Sequence, residues 1–428
     1  TVLLTLAIAT GLAASLAATA FREVLLGFQW LAFGTGADLM LSHVAALPWW
    51  HRMLVPAVGG LIVGYFIHRF VSGRRPVGVP QVMEASALDG AKMSLTQGIK
   101  GAIANAATLG FGGSAGREGP VVHLGATIGS RIAKWMHMPR GHARTLLACG
   151  VAGAVAASFN APLAGVFFAL EVVIGPYALA AFAPIVMASL VATVVSRAIY
   201  GDFPAFIIPN YTISAFEFPA FAMLGVAAAV LAVVLMRGVA LVGQQMARLP
   251  IPAWCRPGVG GLGVGVLAIA FPEVLGVGYG STDLALKGEF GLAMLVGLMV
   301  VKTMATALTL GSGFGGGVFS PSLFLGAMLG GAVGTVAGVV APYLFLTESA
   351  SVFAGEGAYA MVGMGAVAGA VLGAPISTIL IIFELTGDYQ LTMGVMLGTV
   401  VASVITSQWH GTSYFRGVLA QRGVDISA

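Results

Sequence analysis

Apolar runs of two lengths divide this chain, and the shorter set restricts what it can fold into. Leu3–Phe21, Leu54–Phe70, Ala178–Tyr200, Ala220–Val242, Gly258–Phe271 and Leu292–Leu310 read as bilayer-spanning helices, a task for about 20 apolar residues. Val121–Met136, Leu146–Phe159, Pro162–Ile174, Pro321–Val340, Tyr359–Leu372, Pro375–Glu384 and Met393–Ser407 are too short, or too interrupted by Gly and Pro, and read as half-spanning elements. Irregular backbone at membrane depth is tolerated only where protein or a polar cavity surrounds it. Composition agrees with a polytopic membrane protein: 8% of residues are charged and 58% hydrophobic, where a soluble domain carries roughly 25% charged. The opening run Val2–Ala20 is long for a signal peptide and lacks a basic start, so it reads as a first helix.

Charge gives the sidedness. Arg69, Arg74 and Arg75 follow one span, Arg131, Lys134, Arg140 and Arg144 another, and Arg237, Arg248 and Arg256 flank a third. The positive-inside bias places these loops in the cytoplasm. Asp202 and Glu217 bound a loop without positive charge, which suits the other side. No basic face suited to nucleic acid is present. Cys149 and Cys255 lie in apolar surroundings without metal-ligand spacing and read as buried thiols.

The chain also repeats itself. Pro120–Gly129 (PVVHLGATIG) matches Pro321–Gly330 (PSLFLGAMLG), and Ala161–Glu171 matches Ala374–Glu384 in the same order. The boundary falls near 201–218, giving a first repeat 1–210 and a second 211–428 within one membrane domain. In transporters such repeats often run in opposite directions through the bilayer and share a binding site near the midplane.

Ionised side chains at membrane depth are costly and are normally retained for function. One sits in Gly116-Arg117-Glu118-Gly119-Pro120. Two further Gly- and Pro-marked segments, Val77-Gly78-Val79-Pro80 and Gly317-Val318-Phe319-Ser320-Pro321, read with it as helix starts. Proline suits the first helical position, and helix-start N–H groups offer an anion donors and partial positive charge.

In this order the three segments resemble the CLC family of chloride channels and chloride/proton antiporters. The family pattern is Gly-Ser-Gly-Ile-Pro, then Gly-Arg/Lys-Glu-Gly-Pro, then Gly-x-Phe-x-Pro, then a tyrosine near the end. Asn160–Gly165 and Phe383–Tyr389 extend the resemblance across nearly the whole chain. It implies an all-α membrane fold, an inverted repeat of many tilted, partly re-entrant helices. It also implies a homodimer with one anion path per subunit, and a multi-pass location in a bacterial inner membrane. The transported ligand would be chloride, with no cofactor or metal, and the partners inorganic anions, protons and lipid. By the same resemblance Glu118 is the gating carboxylate. Val318 and Phe319 present amides to a central anion and Arg117 and Gly119 to an outer one, and Val77 and Gly78 at the first helix start, with Tyr414 or Phe415 near the end, complete the anion-binding set. No cytosolic regulatory domain is legible.

Three departures from the antiporter pattern point one way. The family's filter serine falls at Val77, its tyrosine at Phe415 (or, one residue earlier, Tyr414), and its inner proton-transfer glutamate at Val172, beside Glu171. Lost hydroxyl donors weaken an anion site by roughly 0.5–1.5 kcal/mol each, and Val172 removes the obvious relay. The expectation is anion conduction with weak or no proton coupling. Chloride/proton antiport and a fluoride-selective exporter of the same fold are the alternatives, and Val77→Ser is expected to shift anion preference.

Other motifs carry less. Gly311-Ser-Gly-Phe-Gly-Gly316 matches a dinucleotide fingerprint by letters, but no strand precedes it. No nucleophile–base pair or metal-ligand set groups on the apolar segments, so an intramembrane enzyme is not expected. His123 aligns with Phe324 and reads as a packing residue. His137 and His142 read as solvated. Lys302 is expected to snorkel or to pair with a carboxylate.

Overall fold

The computed structural model describes residues 2–36, 40–175, 179–202, 206, 211, 213–345 and 354–425. The first part of the chain forms α1 (Val2–Phe33), α2 (Met40–Ala46), α3 (Trp49–Phe70), α4 (Val79–Ala87), α5 (Leu95–Gly110), α6 (Glu118–Trp135), α7 (Arg140–Phe159), α8 (Pro162–Phe168) and α9 (Leu179–Tyr200). The second forms α10 (Phe218–Arg248), α11 (Arg256–Ala270), α12 (Tyr279–Leu286), α13 (Leu292–Gly311), α14 (Phe319–Phe345), α15 (Glu356–Leu372), α16 (Pro375–Thr386), α17 (Tyr389–His410) and α18 (Tyr414–Gln421). Among the described residues the only β pairing is an isolated bridge between Gly116 and Gly317. The chain is an integral, multi-pass, all-α membrane protein.

Nine helices among the described residues are long and apolar enough to cross a bilayer. Three of them correct the sequence reading. Arg140–Phe159, Phe319–Phe345 and Tyr389–His410 are full-length helices, not half-spanning ones. Arg140 and Arg144 sit in the first turns of α7 and shortened its apolar run without interrupting its backbone. The glycines of α14 are packing surface, not breaks. Ala178 lies outside the described residues, and the helix expected from it runs Leu179–Tyr200. Cys149 is buried as expected, but Cys255 is half-exposed at the start of α11.

The two sequence repeats are also repeats of structure. Helices α7 and α15 both end on a left-handed residue followed by Ala-Pro: Asn160 at φ 56° and Gly373 at φ 66°. The proline then opens α8 or α16 at the first helical position. Helix α6 meets α7 through Gly125 and Gly129, and α14 meets α15 through Gly326 and Gly330, the same positions of the matched blocks. At each of these glycines a Cβ would strike the partner's backbone, so small residues set the close approach, as in membrane helix pairs generally.

A reciprocal clasp joins the repeats. Glu171, in the π-helical turn Ala169–Ile174 after α8, accepts from Ile376 N–H at 3.2 Å, Ser377 N–H at 2.8 Å and Ser377 Oγ–H at 2.5 Å. Glu384, at the matched position of α16, accepts from Leu163 N–H at 2.9 Å and Ala164 N–H at 2.8 Å. Each carboxylate caps the other repeat's helix start, where orphan donors and the helix dipole favour negative charge. This requires α8 and α16 to run antiparallel, the relation an inverted repeat produces.

Candidate functional site

Three helix starts converge. Gly116 N–H donates to Gly317 O at 2.7 Å, and Gly317 N–H to Gly116 O at 2.8 Å. This exchange ties the loop before α6 to the loop before α14. The first intrahelical donors are then Val121, to Arg117 O, and Ser322, to Val318 O. The N–H groups of Arg117, Glu118, Gly119, Val318, Phe319 and Ser320 precede them and have no intrahelical acceptor. The approach at Gly119 is close, since a Cβ there would stand 3.2 Å from the Gly317 Cα, tighter than ordinary packing. At the third start the Gly78 N–H is already engaged by Gln81 Oε1 at 2.9 Å, a donor the sequence reading assigned to the anion.

A small chamber of about 20 Å³ lies at this junction, lined by Val79, Glu118, Gly119, Val318, Phe319 and Phe415 together with apolar side chains of α6, α7, α8, α15 and α16. A cavity needs roughly 10–15 Å³ to hold one water, so the chamber admits one particle of that size. Its walls are apolar side chains, which leaves peptide dipoles and the Glu118 carboxyl as the polar groups. A larger cavity of about 570 Å³ reaches it from the side bearing Arg75, Arg237 and Arg422, and includes Gly78, Gly119, Tyr414 and Phe415. Two outer cavities, of about 80 and 310 Å³, both touch Arg117, Arg22 and Tyr279.

Glu118 is buried, 5% exposed, between the chamber and the outer cavities. Its Oε1 accepts from Tyr279 Oη–H at 2.8 Å and from Ser320 Oγ–H through a short bond. Its Oε2 is buried and has no hydrogen-bond partner among the described residues. Arg117 turns away, donating to Ser158 O at 3.2 Å with its guanidinium 4.9 Å from the Tyr279 ring centre. Tyr279 and Ser320 were not singled out from the sequence. Ser320 sat unremarked inside its motif. Tyr279 lies 161 residues beyond Glu118, in a Gly-Val-Gly-Tyr-Gly-Ser run with no charged residue to draw notice.

The remaining expected residues divide. Phe415 lines the chamber and is 4% exposed, whereas Tyr414 lines the cavity below it, so Phe415 stands at the chamber wall. Val77 does not line the chamber, although it borders the larger cavity below it. Its side chain packs on Gly101 and among Val63, Ile67 and Phe314, because the strand-like turn before α4 points it toward α5. Val172 is buried within the main apolar cluster, and Glu171 is occupied by the clasp. Among the described residues Lys302 neither snorkels nor pairs with a carboxylate. It is fully buried in α13 and donates to Val274 O and Gly276 O, both at 3.0 Å, because the turn before Tyr279 leaves those carbonyls without helical donors. His123 is buried, as Phe324 is in the second repeat.

A sequence model described as "Voltage gated chloride channel" matches residues 59–407. The chain belongs to this CLC family. It is 34% identical to a ClcB-like chloride channel protein of Ralstonia nicotianae, over 97% of this chain and 96% of that one. It is 31% identical to the voltage-gated ClC-type chloride channel ClcB of Escherichia coli, over 98% and 99%. In fold it is similar to a slow cyanobacterial Cl⁻/H⁺ antiporter (TM-score 0.85, 22% identity, 98% and 97% covered). It is also similar to a CLC-type fluoride/proton antiporter (TM-score 0.77, 24% identity, 97% and 96% covered). CLC-type anion transport follows from family membership, and the three converging starts are where the family's motifs meet in this chain.

Proposed function

We propose that this CLC protein conducts chloride through the chamber, gated by Glu118, with weak or no proton coupling. The observation that carries the reading is the pairing of Glu118 at the chamber with Val172 at the inner position. A carboxyl faces the anion from outside, and the matching inner group is an alkyl side chain inside an apolar cluster. Ionised, Glu118 occupies the outer end of the chamber as an anion would. Protonated, it gives up that place to chloride. Glu171 is a poor substitute relay, since three donors hold its carboxylate at the start of α16. In this proposal the protein acts as a homodimer in a bacterial inner membrane, as the family resemblance implies.

The deciding measurement is the reversal potential of reconstituted protein under a pH gradient at symmetric chloride. It is expected to stay near zero. A stable pH-driven shift establishes antiport and displaces the channel reading.

The wall at Phe415 lacks a hydroxyl, and Val77 cannot supply one. Val77→Ser is therefore expected to leave chloride, nitrate and fluoride permeability ratios unchanged, contrary to the alignment-based expectation. Bi-ionic potentials check this, and a clear change in any ratio would make residue 77 part of the selective site rather than of the cavity below it.

A further inference from the structure

We propose that Tyr279 is the outer latch of the gate: with Ser320, its hydroxyl holds the Glu118 carboxyl in the chamber mouth, and release of that bond sets the rate of opening. The proposal rests on Glu118 acting as the gate. Tyr279 Oη lies 2.8 Å from Glu118 Oε1 and 3.3 Å from Ser320 Oγ. Two hydroxyls therefore converge on one carboxyl oxygen, while Oε2 has no partner among the described residues. An ionised acceptor makes each such bond stronger than a neutral one, so the latch favours the closed, charged gate. A phenol remains a donor throughout the range where carboxyls titrate.

The latch is mounted on a held turn. Tyr279 opens α12 directly after Gly276 (φ 64°) and Gly278 (φ 90°). Lys302 Nζ binds the carbonyls of Val274 and Gly276, and Gly276 N–H donates to Gly112 O at 3.3 Å. The phenol ring lies edge-on to Phe206, centres 6.0 Å apart, with the Arg117 guanidinium 4.9 Å from its centre. A fully buried ammonium held by two carbonyls of this inward-packed turn is a costly arrangement, and it places the hydroxyl. Tyr279 lines both outer cavities and neither the chamber nor the inner cavity. It therefore stands on the outer face of the gate. The charged groups around the carboxyl are Arg117 beside it, Arg22 of α1 and Glu273 across the outer cavities, and Lys302 committed beneath the turn.

Tyr279 is thus a positioning residue, and a double-mutant cycle separates that role from a structural one. Chloride efflux is measured from liposomes holding wild type, Tyr279→Phe, Glu118→Ala and the double variant, with folding checked by size exclusion. Removing one oxygen leaves the ring packing intact. Tyr279→Phe is expected to raise efflux about 10-fold in the wild-type background, the factor corresponding to one hydrogen bond to a charged group. It is expected to change nothing in the Glu118→Ala background, where no carboxyl remains to hold. Unchanged efflux in the first background, or the same factor in both, overturns the latch while leaving the transport reading standing. No efflux from folded wild type and Glu118→Ala alike overturns both.

Discussion

Glu118→Gln is expected to keep anion flux running while removing its dependence on pH. The carboxyl sits at the mouth of a chamber large enough for one water-sized particle, so carboxylate and anion compete for one place. Ionised, Glu118 carries the charge that peptide N–H groups at the starts of α6 and α14 favour. A glutamine has nearly the same shape and can still accept from Tyr279 and Ser320, but it carries no charge at any pH. It competes less well for the donors, and protons no longer change how well it competes. Efflux at stepped pH should rise in the wild type as pH falls and stay flat in the variant. Any residual proton flux should fall to background. A variant profile that follows the wild type would assign the pH response to another group.

Glu171→Ala is expected to unfold the protein more readily without revealing a proton pathway. The carboxylate accepts three bonds from the first turn of α16, and alanine leaves those donors without an acceptor. A hydrogen bond to a charged group contributes about 1.5–3 kcal/mol. The half-buried site lets water recover part of it, so a net loss of about 2–4 kcal/mol is expected. Glu171→Gln, which can still accept, should recover part of that loss. Thermal unfolding in detergent, followed by intrinsic fluorescence, measures the series. If Glu171→Ala instead kept the wild-type melting temperature and abolished proton-coupled transport, Glu171 would be a relay and the clasp incidental.

The parts of this fold legible in the sequence are those whose chemistry is local. Gly116–Pro120 and Gly317–Pro321 announce helix starts because glycine and proline act on their own backbone, and Glu118 stands out because charge is rare in apolar sequence. The repeat was visible in the equal Pro-to-Glu spacing of Pro162–Glu171 and Pro375–Glu384. What that spacing builds, a carboxylate from each half capping the other, was not visible, since it depends on two segments meeting in opposite directions. Helix lengths failed where polar first turns or packing glycines imitated breaks, as in α7 and α14.

Side-chain direction was the other blind spot. Alignment put Val77 where the family carries its filter serine, yet the backbone before α4 turns that side chain toward α5. Phe415 and Tyr414 were inseparable by counting and separate at once by location. Tyr279 and Lys302 emerge only from the fold, because a distant loop brings one to Glu118 and a buried helix uses the other to hold that loop. Lys302 looked like a snorkelling residue because nothing in its own segment shows two open carbonyls 26 and 28 residues earlier.

The central claim is that a permeant anion and the Glu118 carboxyl occupy the same chamber in turn. Bromide placed by anomalous scattering in crystals of wild type and Glu118→Gln tests it most directly. With the gate neutralised, bromide is expected in the chamber beside the N–H groups of Val318 and Phe319, and that peak should be missing from wild type at high pH. Identical bromide positions in both proteins, or none among residues 118, 318, 319 and 415, would contradict it.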